Sequence, residues 1–509
     1  MVLVFNLFNL TMYTKSECDD NSDFLSDLYE PSEASELSDT SSSSSDSLDS
    51  FSRPNELELT EEEIEDLCED ARTLACDYIQ EHVGKMSHPN FHDALQAYVF
   101  DQVRIAMFAA LGEHVMVDGD AVRNFMLDIT DESIDFVFDE MHEVNLVEFP
   151  PRRSDEWTDV KLFPDDSAHD RICARVNELL NMQDQTEQRT PAWYERRHNM
   201  ITASSAWKAF GTDAVVNQLI YEKCKPFSEV MEAASMQQMV NVDSPLHWGQ
   251  KYEYLSAQLY QLKNNTRLGE FGCIQHASSC LSFLGGSPDG INIDDSSPLF
   301  GRMVEIKNIV NREITGIPKE EYWIQMQIQM EVCDLDACDF VETRFKEYEH
   351  VEDYEQDVEM DYQYCNEERR VGTEFDLYDD DLQRGIIIYF IDKTTQKPHY
   401  EYMPFHYKDV DTQDAWVVNT IFEKERDRQY AWVRNIYWKL DQYSCVLVKR
   451  NRLWFNAYAA PQLEHVWRTI ETERISGYAH RAPKKRATAL SQPSSSAAWL
   501  QTRLCRIVL

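Results

Sequence analysis

The sequence predicts a mixed α/β (α+β) fold, with a mixed central sheet flanked by helices and an N-terminal helical domain ahead of it. Two observations lead to this prediction. Apolar residues recur at helical spacing through much of residues 60–138. Short strand-like runs then occupy 281–286, 300–307, 338–345, 385–391 and 399–406, with a helical pattern at 320–333 among them.

The first part of the chain divides into a tail and a helical domain. Residues 1–55 are rich in Ser, Asp and Glu, and such a segment is predicted to be disordered because it has little apolar surface to bury. A capping box at Thr60 and Glu63 opens the first helix. We assign residues 56–185 to a helical accessory domain without a recognised motif.

A second domain is predicted at residues 186–480. An acidic insert at 347–383 follows its fourth strand and is expected to be a surface loop or short helix. Near the end, a strand pair at 444–449 and 452–456 precedes a final helix at 461–475, which has proline in its first turn. Residues 481–509 are predicted to be a basic disordered tail.

The formal net charge of −43 argues, at first sight, against nucleic-acid binding. The excess is local, because residues 1–70 hold 20 acidic and 2 basic side chains, and residues 347–381 hold 15 and 2. Both stretches can lie away from a substrate, and the field around a cleft matters more than the total charge. Net charge therefore does not exclude a DNA substrate.

Cysteine usage indicates an intracellular protein. The chain has 12 cysteines, scattered singly, and the nearest pairs, Cys273/Cys280 and Cys333/Cys338, lack zinc-finger spacing. We expect reduced thiols and no Fe–S cluster, because no cysteine quartet is present. The apolar opening at 1–10 is a poor signal peptide, and without a run of 18 apolar residues we expect no membrane span.

Two acids and a lysine are spaced so that a hairpin would bring them together. Asp289 and Glu305 are equidistant from Ser297, which lies in the turn-forming segment 294–298. A hairpin closed there sets Asp289 opposite Glu305, and Lys307, two residues further, points to the same face as Glu305. Two carboxylates that hold divalent cations and a lysine that orients the attacking water suffice for metal-dependent phosphodiester hydrolysis.

Each candidate also has an ordinary structural interpretation. Glu-x-Lys is frequent on solvated edge strands, and Gln325 and Gln329 at i, i+4 fit a solvent-exposed helix face. Glu253 lies on a helix whose leucines face inward, so a surface acid is the alternative. For Arg197 and Ser204 the alternatives are an arginine paired with a neighbouring acid and a capping serine.

Five segments follow one another in the middle of the chain, namely Trp193–Ser204, Trp248–Glu253, Gly286–Gly290, Val304–Lys307 and Tyr322–Gln329. In this order they resemble the lambda-exonuclease-like, YqaJ-type viral recombinase family of PD-(D/E)xK nucleases. The last segment is most similar to the versions in large DNA viruses, relatives of the herpesvirus alkaline nucleases. The resemblance covers 186–345 and, more loosely, 385–475. It implies a restriction-endonuclease-like core and makes 186–480 a nuclease domain.

The resemblance implies catalytic roles for several residues. Asp289 and Glu305 match the shared metal ligands, and Lys307 matches the catalytic lysine. Glu253 matches the acid that binds a second metal ion, directly or through water. The main-chain carbonyl of Ile306 is a further candidate ligand. The expected cofactor is Mg²⁺ or Mn²⁺, with two ions.

Three further positions are assigned through the same resemblance. Gln325 matches the glutamine that steadies the lysine and the scissile phosphate. Arg197 and Ser204 match the positions that grip a 5′-terminal phosphate, in the segment that begins at Trp193. A guanidinium fork and a hydroxyl suit such a dianionic group.

These assignments make a metal-dependent nuclease the leading hypothesis, most specifically a 5′→3′ exonuclease on double-stranded DNA ends. Its expected place is viral recombination or replication-intermediate processing in an infected host cell, nuclear or cytoplasmic, with a single-strand annealing protein as a partner. An endonuclease or RNase on the same core is one alternative. A non-catalytic DNA-end-binding scaffold is another, although the intact set Asp289, Glu305 and Lys307 argues against it.

Overall fold

The computed structural model describes residues 59–111, 119–143, 166–182, 190–236, 241–242, 244–360, 383–426 and 428–482. The predicted tail at 1–55 lies outside the described residues, as do 361–382 of the acidic insert and 483–509 of the basic tail. Expectations about those segments stay predictions.

The N-terminal region is helical, as predicted. Helices α1 (Glu61–Glu81), α2 (Phe91–Leu111) and α3 (Gly119–Glu143) pack against one another, and α4 (Asp166–Asn181) follows. The capping box at the start of α1 is present: Thr60 Oγ1 accepts from the Glu63 N–H at 3.2 Å, and Glu63 Oε2 accepts from the Thr60 N–H at 2.8 Å.

The remainder of the chain mixes strands and helices. Its strands are β1 (Ile201–Thr202), β2 (Leu268–Gly269), β3 (Ile274–Gln275), β4 (Leu284–Gly286), β5 (Gly290–Asn292), β6 (Met303–Asn308), β7 (Ala337–Glu347), β8 (Arg384–Asp392), β9 (Pro398–Tyr402) and β10 (Tyr430–Lys449). Its helices are α5 (Pro191–His198), α6 (Ala203–Ala206), α7 (Asp213–Cys224), α8 (Phe227–Met236), α9 (Pro245–Lys263), α10 (Glu320–Cys333), α11 (351–360), α12 (Val410–Arg426), α13 (Arg452–Trp454) and α14 (Ala460–Ser476).

The strands form two mixed sheets flanked by helices, which confirms the predicted fold class. The smaller sheet has the order β1-β4-β3, and the larger has the order β2-β5-β6-β7-β10-β8-β9. Strands β1 and β4 are parallel, as are β6 and β7, and the other neighbours are antiparallel. Parallel neighbours need a crossover connection, and α10 supplies it between β6 and β7. As a result, α10 lies against the sheet, with its residue Gln325 next to Glu305 of β6.

Helix α10 is held at both ends by the N-terminal helical region. At its start, Glu320 Oε1 accepts from Ser87 Oγ at 2.9 Å, and at its end the Cys333 carbonyl accepts from Arg175 Nε at 2.7 Å. One continuous hydrophobic cluster joins Ile64 of α1 to Trp323 of α10. The division into an accessory and a nuclease domain stays a prediction, but the two regions share a core.

One prediction near the C-terminus is wrong, and another covers only part of a longer strand. The expected strand at 452–456 is wrong, because residues 452–459 are helical and lead directly into α14. Asn451 caps this helix by accepting from the Trp454 N–H at 2.9 Å, and Trp454 is fully buried. The expected strand at 444–449 is the end of a 20-residue strand, β10, that pairs first with β8 and then with β7.

The described start of the acidic insert includes a short helix, one of the two predicted forms. Strand β7 continues to Glu347, and α11 then packs inward through Tyr354, whose hydroxyl donates to Gln413 Oε1 at 2.9 Å. The nine described cysteines are free thiols. Within the described ranges, no helix has the length and apolar character to cross a membrane.

Candidate active site

The hairpin of β5 and β6 brings the two predicted acids together. Its register pairs Gly290 with Val304, which sets Asp289 opposite Glu305 as the spacing predicts. Asp289 Oδ2 accepts from the Ile306 N–H at 2.7 Å, so the carboxylate is tied to β6 just before the strand β5 begins. The side chain of Ile306 lies in the core, and its carbonyl as a metal ligand stays a prediction.

Glu305 lies at the centre of the site and is only 1% exposed. Its Oε1 accepts from Lys307 Nζ and from Gln325 Nε2, the latter at 2.7 Å, and its Oε2 accepts from Gln329 Nε2 at 2.9 Å. Lys307 Nζ also donates to Gln325 Oε1 at 3.4 Å and lies 4.9 Å from the centre of the Tyr322 ring. The solvated-face interpretation of these residues is therefore wrong.

The sequence does not show the burial of Gln329 because α10 lacks an apolar stripe. The helix packs against β4 of the small sheet and against β7 and β10 of the large one. Every residue from Met326 to Cys333 is consequently buried, whatever its polarity. Periodicity therefore cannot distinguish a functional glutamine from a surface one on this helix.

Gln329 is a site residue for which the sequence predicted no role. Besides its bond to Glu305, its Nε2 donates to the Ser287 carbonyl at 3.1 Å. Gly286 leaves room for this contact, because a Cβ at that position would lie 3.2 Å from Gln329 Cγ. Gln329 thus fixes the segment that leads to Asp289 relative to Glu305. Its i+4 spacing puts it on the same helix face as Gln325, but this spacing alone also fits a surface residue.

We expect Gln329→Leu to slow cleavage roughly 10- to 100-fold, because partners that orient a metal ligand typically contribute that much. DNA affinity should change little. The matched control is Gln327→Leu, since Gln327 is equally buried but bonds Lys449 O and the Asn451 N–H on another side of α10. Single-turnover rates and melting temperatures of both variants check this. If Gln329→Leu and Gln327→Leu had equal melting temperatures and lost equal amounts of rate, Gln329 would act through stability alone.

The electrostatics of the site show an excess of negative charge. Burial raises the pKa of the Asp289 carboxyl well above its ordinary value, and the charge of Glu305 and, less strongly, that of Glu253 add to the effect. Burial lowers the pKa of Lys307, but the charges of Glu305 and Asp289 outweigh it, so this pKa lies above its ordinary value. Carboxylates crowded in this way favour a bound cation.

Glu253 approaches the site from α9. Asn308, at the end of β6, donates from Nδ2 to the Gly249 carbonyl at 3.0 Å and accepts from Ser256 Oγ at 2.7 Å. These two contacts fix the turns of α9 on either side of half-buried Glu253. The charge of Glu253 acts on the Asp289 carboxyl, and the role of Glu253 as ligand to a second ion stays a prediction.

A second cluster forms around Arg197. Its Nη2 donates to Ser204 Oγ at 3.1 Å and to Thr202 Oγ1 at 3.4 Å, and its guanidinium lies 4.3 Å from the centre of the Trp193 ring. No acid pairs with Arg197 in the described part of the chain, and Ser204 lies inside α6, whose N-cap position is Thr202. The ordinary interpretations of Arg197 and Ser204 therefore do not apply.

The two clusters are neighbours across β4. Thr202 pairs with Gly285, and a Cβ at Gly286 would lie 3.6 Å from Ala203 and 3.2 Å from Gln329. From Gly286 to Asp289 the chain advances three residues, at most about 11 Å. A Cβ at Gly285 would lie 2.2 Å from Met200 Sδ. Gly285 and Gly286 thus leave room for the side chains of Met200 and Gln329.

Comparison with known proteins gives a family model and a viral relative. Residues 192–336 match the model described as a YqaJ-like viral recombinase domain. An uncharacterized protein of Acanthamoeba polyphaga mimivirus is 27% identical over 313 residues, which cover 56% of this chain and 52% of that protein. The chain therefore spans about half the length of this relative.

Two solved structures are also similar. A crystal structure of LHK-Exo in complex with dAMP is 18% identical, with a TM-score of 0.30, over 56% of this chain and 94% of that chain. A structure of an alkaline exonuclease (LHK-Exo) from Laribacter hongkongensis is 25% identical, with a TM-score of 0.24, over 30% and 74%. All predicted site residues lie inside the matched family range. Residues 192–336 of this chain are therefore similar to a YqaJ-like viral recombinase domain.

Proposed function

We propose that this protein is a divalent-metal-dependent nuclease that acts as a 5′→3′ exonuclease on double-stranded DNA. One observation carries the proposal, namely the adjacency of the Arg197 cluster to the carboxylates Asp289 and Glu305 across β4. An enzyme that removes nucleotides from an end needs a group that holds the end beside groups that cut. An endonuclease does not need the group that holds the end.

The residues present fit a hard divalent cation, Mg²⁺ or Mn²⁺. Glu305 Oε2 accepts one hydrogen bond and keeps a lone pair, and no bond to Asp289 Oδ1 is present among the described residues. Two carboxylates with oxygen lone pairs to spare suit Mg²⁺, which takes one or two carboxylates and completes its shell with water and substrate phosphate.

Asp289 and Glu305 would hold the metal, and Glu253 would bind a second ion directly or through water. When bound, such an ion polarises the phosphoryl oxygen and lowers the pKa of a coordinated water. Lys307 is kept protonated by the carboxylates, so it donates hydrogen bonds to the attacking water and the scissile phosphate. Gln325 contacts both Lys307 and Glu305 and keeps the lysine directed at the substrate.

Arg197 and Ser204 would hold the 5′-terminal phosphate. The guanidinium is stacked on Trp193, so its position is fixed before the substrate arrives, and Ser204 is exposed beside it. The degraded duplex would keep a 3′ overhang, the substrate of a single-strand annealing partner at a viral replication site in the host cell.

We expect wild type to degrade a 5′-phosphorylated duplex faster than a 5′-hydroxyl duplex, and Arg197→Ala to remove this preference. A charge-assisted contact to phosphate is worth about 1.5–3 kcal/mol, or roughly ten- to a hundredfold in rate. Arg468→Ala, at an exposed arginine of α14, serves as the control. Rates on the matched pair of ends measure the effect. Equal wild-type rates on both ends would end the terminal-phosphate assignment.

The alternatives give different products. Covalently closed circular DNA has no end, so its rapid cleavage by an enzyme insensitive to Arg197→Ala would indicate an endonuclease. Faster hydrolysis of a matched RNA duplex would indicate an RNase. Binding of ends without cleavage in Mg²⁺ or Mn²⁺ would indicate a scaffold.

A further inference from the structure

Two further cationic side chains lie next to the Arg197 cluster. Lys223, near the C-terminal end of α7, donates from Nζ to the Arg197 carbonyl at 2.7 Å. Arg474 of α14 donates to the Lys223 carbonyl at 2.8 Å and to the His198 carbonyl at 3.0 Å. Two cations from separate helices therefore meet at the last turn of α5, where helix carbonyls lack intrahelical partners.

The cations at the last turn of α5 have no ion-pair partner in the described ranges, because no carboxylate lies within ion-pair distance of Arg197, Lys223 or Arg474. Glu222, the acid whose charge acts on Lys223, accepts from Lys208 Nζ at 2.8 Å. Partly buried cations that lie close together repel one another. A bound anion offsets this repulsion and favours their charged forms.

We propose that Lys223 is a positioning residue that sets the preference for phosphorylated ends, by taking up a proton when a 5′-phosphate binds beside Arg197. The inference rests on the proposed function, in which Arg197 and Ser204 hold that phosphate. Lys223 acts through Arg197, because it holds the backbone of the same residue whose guanidinium meets Ser204. Discrimination between ends then depends on pH.

The titration of Lys223 follows from the groups that face it. Burial lowers the pKa of Lys223 to about 7, and the charges of Arg197 on α5 and Arg474 on α14 contribute. Glu222 on the same helix and Cys273, just ahead of β3, act weakly in the opposite direction. Near neutral pH the free protein therefore holds Lys223 partly deprotonated.

His198, a titratable group at the same turn, does not compete for the proton. Burial lowers the pKa of His198 to about 4, helped by the charges of Arg474 and Lys223. It is neutral over the range in which Lys223 titrates. One group, Lys223, is thus expected to account for the pH dependence.

The sign of the effect is fixed by linkage. A bound phosphate raises the pKa of Lys223, so binding takes up a proton and weakens as pH rises above the pKa of the free protein, by at most about tenfold per pH unit. The phosphate itself has a second pKa of about 6, so its negative charge grows over the same range. Titration of the ligand alone would strengthen binding, which is the opposite trend.

The test measures dissociation constants of 5′-phosphorylated and 5′-hydroxyl duplexes in metal-free buffer, by fluorescence anisotropy, from about pH 6.5 to about pH 9. The ratio is the dissociation constant of the 5′-hydroxyl duplex divided by that of the 5′-phosphorylated duplex. For wild type, this ratio should fall by about tenfold or more across this range. Lys223→Arg, which stays charged, should keep the ratio high at all pH values, and Lys223→Met should keep it low. The control Lys225→Met, two positions away with its ammonium over the Tyr221 ring, should match wild type.

A wild-type ratio that does not change with pH would overturn the proposal, as would an unchanged pH dependence in Lys223→Met. If the Met variant does not fold, Lys223→Arg still tests the proposal. A decline of the ratio in Lys223→Arg like that in wild type would also overturn the proposal. A wild type without preference at any pH contradicts the terminal-phosphate site itself. That result is distinct from a pH-independent preference, which contradicts only the role of Lys223.

Discussion

Asp289→Asn is expected to abolish DNA cleavage and to leave DNA binding largely intact. Asparagine keeps the shape of the side chain and an oxygen that can accept from the Ile306 N–H, so the hairpin should be preserved. It removes one of the two carboxylate charges that hold the metal. Stabilisation by such an ion is worth several kcal/mol, so the rate should fall roughly a thousandfold or more.

Glu305→Gln should be as severe, but it is the less clean substitution. The three hydrogen-bond partners of Glu305 all donate to it, namely Lys307, Gln325 and Gln329. A glutamine at this position would direct an amide N–H at one of these donors. Asp295→Asn, at an exposed acid of the same hairpin, is the control. Single-turnover rates and duplex affinities should be measured for all three. Activity within tenfold of wild type for both Asp289→Asn and Glu305→Gln would show that the site lies elsewhere.

Lys307→Ala should reduce the rate nearly as far, by roughly 10²- to 10⁴-fold, the range of a side chain that handles the proton of the reacting group. The lysine is the cation in contact with Glu305 and also touches Gln325 and Tyr322. Its removal leaves Glu305 buried with only amide donors. The loss should appear in the maximal rate rather than in DNA affinity.

Two comparisons separate this role from general electrostatics. Lys346→Ala removes a lysine from an exposed position of the neighbouring strand β7 and should leave the rate unchanged. Lys307→Arg keeps the charge but changes the reach and shape of the donor, and it should recover little activity. Full activity of Lys307→Arg would mean that charge alone matters at this position.

The hairpin was predictable from the sequence because its logic is local. The turn composition around Ser297 and the two-residue period of β6 suffice to place Asp289, Glu305 and Lys307 together. The burial of Gln329 was not predictable, since α10 is enclosed on several sides and carries no amphipathic signal.

The C-terminal errors have the same cause. The first half of β10 is only partly buried, so its strand conformation depends on pairing with β8, which lies far away in the sequence. Residues 452–456 have the composition of a strand, but the cap at Asn451 and the burial of Trp454 make them helical. Long-range contacts decided both segments.

The most direct test of the account uses a duplex with a labelled 5′-phosphorylated strand, incubated with the full chain and Mg²⁺. Labelled mononucleotide should appear from the first time point for wild type, and it should not appear for Asp289→Asn or in the presence of a chelator. Internal fragments without mononucleotide, or release of label that continues unchanged in Asp289→Asn, would contradict the proposed exonuclease.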